Sequence, residues 1–236
     1  MNCILKQHTV SQQLIQVAVF TFKPSLHQTT SNELPLSFRD VCRRLQAMPG
    51  VSSSYLGEQL ERRGRWTWVI RWASAAAHDA FLASPSFTRW IASFRSVVDT
   101  YVFWKAVVRG SLSAALNAPC TEVFTAYGAS DRWLEMRMKP FAESVEAAHL
   151  PGHHGSFYGQ YDVLMHDAAH PSEGKTVSMM LGWDSSKGAH LAERAGETVL
   201  DSNTQLRKEV KSTDMYHVQL KRLENMYPPP FSYRHA

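Results

Sequence analysis

The 236-residue sequence has few cysteines and no long apolar run, and both absences narrow what the protein can be. Its three cysteines, Cys3, Cys42 and Cys120, are an odd number without metal-ligand spacing, which favours free thiols in a reducing compartment. No apolar run reaches the length of a membrane span, and residues 1–10 lack the apolar stretch of a signal peptide. We therefore expect a cytoplasmic protein that does not insert into a membrane.

The sequence also lacks the short motifs that hold nucleotides or activate nucleophiles. Gly-x-Gly-x-x-Gly, the P-loop, Gly-x-Ser-x-Gly and Cys-x-x-Cys are all absent. The formal net charge of +4 is small, and the basic doublets are isolated rather than gathered into a stripe, which argues against nucleic-acid binding. We therefore expect no cofactor, no bound metal and no nucleic-acid partner.

What the sequence does contain is an internal duplication. Four short landmarks of the first half recur in the same order in the second: 19–22 as 123–126, 48–59 as 150–161, 72–74 as 183–185 and 99–101 as 214–216. A repeat of about 100 residues is a pair of domains rather than a solenoid unit. We expect a first repeat at 12–109, a linker at 110–119, a second repeat at 120–224 and a Pro-rich tail at 225–236.

Hydrophobic periodicity predicts the same order of elements in each repeat. In the first, strands are expected at 14–22, 51–61, 65–72 and 97–108, with helices at 36–48, 75–82 and from Ser84-Pro85 through Phe94. In the second, strands are expected at 121–127, 153–164, 175–183 and 213–223, with helices at 131–148 and 185–197 and an insertion loop at 166–174. Each repeat therefore has the element order β-α-β-β-α-β, which is the ferredoxin-like α+β fold. The second apolar face of each antiparallel sheet has to be covered. We expect the other repeat to cover it by packing sheet to sheet.

The segment around the third strand resembles a known family. Ile70-Arg71-Trp72-Ala73-Ser74, followed by His78, Phe81 and Ser84-Pro85, is similar to the antibiotic-biosynthesis-monooxygenase branch of the dimeric α/β-barrel superfamily, and Leu181-Gly182-Trp183-Asp184-Ser185 with His190 is a weaker copy. The resemblance implies a pseudo-dimeric α/β barrel, with a cleft between each sheet and its helices. Because duplication supplies the second sheet, we expect a monomer.

We expect the active cleft in the second repeat, where polar residues replace their first-repeat counterparts. His217 stands for Val102, His154 for Ser52 and Tyr158 for Leu56, so His217, His154 and Tyr158 are the candidate catalytic residues. The candidate substrate-binding residues, chosen for strand alternation, aromatic surface or soft packing, are Tyr127, Glu122, Phe124, Met179 and Trp183. The competing interpretation is that His217 is a hydrogen-bonded core histidine and that Glu122 lies at a wet strand end.

Three functions remain open at this point. The leading hypothesis is an enzyme without redox cofactor that promotes cyclisation or rearrangement, including pericyclic chemistry, of a hydrophobic polyketide or terpenoid. The alternatives are a cofactor-free monooxygenase or decarboxylase acting on an aromatic polyketide, and a non-catalytic protein that binds a small molecule. The family resemblance covers all of these activities, because one fold carries many chemistries.

Overall fold

The computed structural model describes residues 13–26, 34–167, 174–186 and 205–226. The predicted helix at 185–197, the insertion loop at 166–174 and the tail at 225–236 lie almost entirely outside these residues. None of the helices in the described part of the chain has the length and apolar composition of a membrane-spanning segment.

The first repeat follows the predicted order of elements. Its strands and helices are β1 (Gln13–Phe22), α1 (Leu36–Gln46), β2 (Val51–Glu58), β3 (Arg65–Trp72), α2 (Ala75–Leu82), α3 (Pro85–Val97) and β4 (Val98–Gly110). Ser74 begins α2, as predicted, because its side chain accepts a hydrogen bond from the Ala77 N–H at 3.1 Å. Ser84 caps α3 in the same way through the Phe87 N–H at 3.2 Å.

The second repeat copies this order as far as it is described. Its elements are α4 (Leu112–Leu116), β5 (Cys120–Ala129), a π-helical turn (Leu134–Met138), α5 (Lys139–Ala147), β6 (His153–His166), β7 (Lys175–Trp183), β8 (Ser212–Val218), β9 (Lys221–Arg222) and α6 (Leu223–Met226). Two features were not predicted: the expected linker contains α4, and the strand expected at 213–223 is broken into β8 and β9 before α6.

The strand order confirms two ferredoxin-like repeats. All nine strands form one antiparallel sheet in the order β8-β5-β7-β6-β4-β1-β3-β2-β9. The first repeat contributes β4-β1-β3-β2 and the second contributes β8-β5-β7-β6, which is the same arrangement twice. Each half is therefore an α+β unit with its fourth and second strands at the edges.

The two repeats join at these edges along two seams. At the first seam β4 pairs with β6, with Arg109 opposite Tyr158. At the second, β2 pairs with β9, with Leu56 opposite Lys221, and Gln59 forms a bridge to Val218 at the end of β8. Because β8 and β9 are nearly continuous in the chain, the sheet curls until its two ends meet.

Strand alternation divides the buried side chains into three cores. One face of every strand points into the curled sheet, where Val17, Val123 and Phe157 belong to a shared interior core. The opposite face packs under helices, and each repeat has its own outer core there. Trp68 and Trp90 fill the outer core of the first repeat.

Candidate active site in the second repeat

Most of the predicted site residues share one face of the second repeat. Phe124, Met179, Trp183 and Tyr158 belong to its outer core. Glu122 and His217 lie on the same face by alternation, since Val123 and Val218, their chain neighbours, point into the shared interior.

Two predicted residues lie elsewhere. Tyr127 packs against the shared interior core on the opposite face of β5, where burial raises its pKa to about 12. His154 sits in the irregular start of β6 and is exposed, and its Nε2 lies 2.7 Å from Asp184 Oδ1. The structure therefore does not bring Tyr127 or His154 together with the others.

His217 is buried and held by two carboxylates. Its Nδ1 lies 2.6 Å from Glu61 Oε1, its backbone N–H donates to Glu61 Oε2 at 2.8 Å, and its Nε2 is 3.8 Å from Glu122 Oε2. Partial burial acts to raise the pKa of the Glu61 carboxyl, but the hydrogen bonds from His217 outweigh it and the pKa is lowered. Glu61 follows β2 of the first repeat, so the contact between Glu61 and His217 links the two repeats at the second seam.

His217 and Tyr158 do not form one constellation. His217 is on β8 and Tyr158 on β6, with β5 and β7 between them. Three inter-strand spacings of about 4.8 Å separate them by about 14 Å. Across β6, β7 and β5, Tyr158, Met179 and Phe124 instead form a continuous row of paired positions.

Tyr158 opens into a cavity between the sheet and α5. The cavity has a volume of about 750 Å³, and its lining includes Arg109 and Gly110 of β4, Ser156 and Tyr158 of β6, and His149. A second cavity of about 320 Å³ also touches Arg109 and Tyr158 and reaches Leu134 in the π-helical turn. We call these two adjoining cavities the second-repeat groove. A volume in this range suits a small organic ligand.

Local structure explains the shape of the groove. α5 ends at Ala147, and two residues later the left-handed backbone of His149 (φ 45°) turns the chain towards β6. The π-helical turn before α5 widens one helical turn, a feature often found at functional sites. Charged side chains of α5, Lys139, Glu143 and Glu146, line the outer rim.

The Tyr158 hydroxyl and the Arg109 guanidinium determine which reactions the groove can support. Arg109 Nη1 donates to Glu135 Oε1 at 2.9 Å, which holds its side chain beside Tyr158. Burial raises the pKa of Tyr158, nearby Arg109 opposes the shift, and Glu143 and Glu135 add to it. The Tyr158 hydroxyl is therefore protonated at neutral pH and can donate a hydrogen bond next to a permanent cation. Two such donors can polarise a carbonyl or stabilise an enolate oxygen.

The equivalent place in the first repeat is filled. There Leu56 replaces Tyr158, and α6 lies over Ser54, the counterpart of Ser156, so that Glu224 accepts the Ser54 N–H at 3.1 Å. Leu223 of α6 is fully buried in the first outer core. Among the described residues, the first seam therefore has an open groove, whereas α6 fills the equivalent place at the second seam.

Arg109 was missed by the sequence analysis. Its strand was expected to end at Val108, and the alternation of Lys105, Val107 and Arg109 on the outer face was the available signal. What the sequence could not supply is the pairing of β4 with β6, which places Arg109 opposite Tyr158. In the described part of the chain, no group of three or more His, Cys, Asp and Glu side chains is arranged to hold a metal ion.

Comparison with known proteins identifies the fold. Residues 15–93 match the model of a family described as antibiotic biosynthesis monooxygenase, or ABM. An anthrone oxidase-like protein superposes with a TM-score of 0.65 at 13% identity, covering 89% of this chain and 92% of that one. A candidate monooxygenase from Lactobacillus acidophilus NCFM gives 0.56 at 9% identity, covering 90% and 96%. Another from Fusobacterium nucleatum gives 0.56 at 11%, covering 90% and 94%.

These matches establish the architecture. None of the curated proteins compared with the chain matches it in sequence. The match to the ABM model lies within the first repeat, and the chain as a whole has an ABM-like fold built from about two ABM-sized units.

Proposed function

We propose that this protein is an enzyme that acts without a redox cofactor on a hydrophobic polyketide or terpenoid intermediate. It promotes cyclisation or rearrangement by activating a carbonyl group in the second-repeat groove. The observation that carries the proposal is the joint position of Arg109 and Tyr158 between two cavities, one of about 750 Å³.

The proposed chemistry needs only hydrogen bonds and shape. A substrate carbonyl oxygen accepts from the Tyr158 hydroxyl and the Arg109 guanidinium, which draws electron density to that oxygen. The enol or enolate form then becomes accessible, and the confined chain closes on itself. Leu134 and Ala142 supply apolar contact for the hydrocarbon part of the substrate. Every atom of the substrate is kept in the product, so the product is an isomer.

A cofactor-free monooxygenase is the second candidate, supported by the ABM family match of the first repeat. In that case the stabilised enolate or phenolate itself reduces dioxygen. One oxygen atom enters the substrate, and the other leaves as water with two substrate hydrogens. The same pair of donors would stabilise the anion, so the groove supports both reactions and the product distinguishes them.

The test begins with the compound that accumulates when the gene is deleted. Purified protein is added to this compound, and product mass and oxygen consumption are recorded together. An isomeric product without oxygen uptake supports cyclisation or rearrangement, whereas a product that has gained oxygen, with matching uptake, supports the monooxygenase. Stoichiometric binding without any product would contradict both and favour a binding protein.

Tyr158→Phe and Arg109→Gln connect the activity to the groove. We expect each to slow turnover by roughly 10- to 100-fold, because each removes one donor to the developing oxyanion. Tyr101→Phe is the matched control: Tyr101 also accepts a hydrogen bond from an arginine, Arg95, but it lies in the outer core of the first repeat. Equal rates for wild type and Tyr158→Phe would remove this groove from the mechanism.

A further inference from the structure

A separate cavity lies on the first repeat, at the ends of β1 and β3 beside the start of α2. It has a volume of about 520 Å³ and is lined by Leu14, Trp72 and Val107 on its apolar side and by Arg71 and Ser74 on its polar side. It shares one lining residue, Val107, with the smaller cavity of the second-repeat groove and none with the larger one. It is large enough for a small organic molecule.

The cavity carries positive charge from Arg71, and none of the described residues that line it is Asp or Glu. Arg71 donates to two neutral groups, Gln13 Oε1 at 2.9 Å and Ser113 Oγ at 3.2 Å, and no carboxylate of the described residues pairs with it. The two hydrogen bonds fix the guanidinium in place while leaving its charge uncompensated, which is a suitable state for binding an anion.

Two further donors belong to residues that line the cavity. Trp72 is only 4% exposed, and its indole Nε1 has no hydrogen-bond partner among the described residues. α2 begins at the cavity with Ser74 and Ala75, and the Ser74 side chain satisfies only the Ala77 N–H. Backbone N–H groups of a first helical turn favour an anion, and a buried indole N–H without a partner is costly unless something accepts from it.

The second repeat changes the charge at the matching positions. It keeps the tryptophan as Trp183, whose indole Nε1 also has no hydrogen-bond partner among the described residues. Gly182 stands for Arg71 and Asp184 for Ala73, and Asp184 lies 2.7 Å from His154 Nε2. The described part of the second repeat therefore lacks the positive charge at the matching position and carries a carboxylate beside it, as expected if the charge of the first repeat serves a purpose other than building the shared fold.

From these observations we infer that the cavity at Arg71 and Trp72 is a second binding site, for a small carboxylate with an apolar body. The carboxylate pairs with the Arg71 guanidinium and accepts from the Trp72 indole N–H, and the apolar body lies against Leu14 and Val107. The inference does not depend on the reaction proposed for the second-repeat groove.

The test uses 2-naphthoate as the probe and its methyl ester as the uncharged control. Binding is followed by the indole ¹H–¹⁵N signals of the seven tryptophans, with Trp72 assigned by Trp72→Phe. We expect 2-naphthoate to shift the Trp72 signal saturably and the ester to bind at least about tenfold more weakly, because the ester lacks the charged acceptor.

Two variants locate the site. Arg71→Gln should weaken 2-naphthoate binding by about tenfold or more. Ala73→Asp, which installs the second repeat's residue at an exposed position, should do the same and covers the case in which Arg71→Gln fails to fold. Product formation in the second-repeat groove should be unchanged in both. No shift of Trp72, equal binding of acid and ester, or wild-type affinity in a folded variant would each overturn the inference.

Discussion

At the scale of single residues, the contact between His217 and Glu61 joins the two repeats. Glu61 accepts from both the backbone N–H and the ring of His217, and Leu60 donates from the same loop to the His217 carbonyl at 2.8 Å. One short loop of the first repeat therefore satisfies a buried histidine of the second. Glu61 is therefore a structural partner of His217, while the catalytic role of His217 stays a prediction.

We expect Glu61→Gln and His217→Val to lower the free energy of unfolding at pH 7 by about 1–3 kcal/mol. Because the folded state lowers the pKa of Glu61 from its ordinary value of 4.5, its stabilisation is complete above that value and is lost as the pH falls through the folded pKa. The urea unfolding free energies of wild type and Glu61→Gln should therefore converge as the pH falls well below 4.5. Asp99→Asn, at an exposed carboxylate without a partner among the described residues, is the control.

His217→Val also separates the two roles of this histidine. A destabilised protein that keeps wild-type turnover per folded molecule would assign His217 to the seam. A stably folded variant without activity would support the catalytic hypothesis instead and would contradict a purely structural contact.

At the scale of elements, each seam contains a glycine on one of its paired strands. Gly57 of β2 and Gly159 of β6 occupy matching positions in the two repeats. A Cβ on Gly57 would lie 2.4 Å from the Gln219 backbone oxygen, and a Cβ on Gly159 would lie 2.7 Å from the Val107 backbone oxygen. Both distances are too short for real atoms, so both seams need a residue without a side chain to let neighbouring backbones approach.

We predict that Gly57→Ala and Gly159→Ala each destabilise the protein by about 1–3 kcal/mol, because the clashing atoms belong to backbone and cannot rotate away. Thermal unfolding by circular dichroism measures the effect, with Ser52→Ala on the exposed side of β2 as the control. Unchanged stability in either glycine variant would mean that the seam strands lie farther apart than described.

At the scale of the whole molecule, the described edge strands of the two repeats pair with each other. β6 is paired with β4, and β2 is paired with β9 and bridged to the end of β8. The second copy that a one-repeat protein would recruit is already present in the chain.

We therefore propose that the protein is a monomer that contains two repeats of the same fold. Light scattering coupled to size exclusion should give a mass near 26.7 kDa. A species of twice that mass, stable on dilution, would contradict the proposal and direct attention to exposed apolar residues such as Val107, Met136 and Val163 as an interface.

The sequence by itself determined the duplication, the element order and the face on which most side chains lie. These follow from local periodicity: strand alternation placed Glu122 and Phe124 on one face of their strand and needed no knowledge of distant contacts. It also determined that Tyr158 replaces Leu56, since the comparison runs between two stretches of the same chain.

Only the tertiary structure decided which of these residues meet. The pairing of β4 with β6 places Arg109 beside Tyr158, and the order β8-β5-β7-β6 separates Tyr158 from His217. The packing of α6 over Ser54 fills one groove and leaves its counterpart open. Local periodicity fixes the direction of a side chain, but edge-to-edge pairing between strands far apart in sequence fixes its neighbours, and the chemistry of the groove depends on those neighbours.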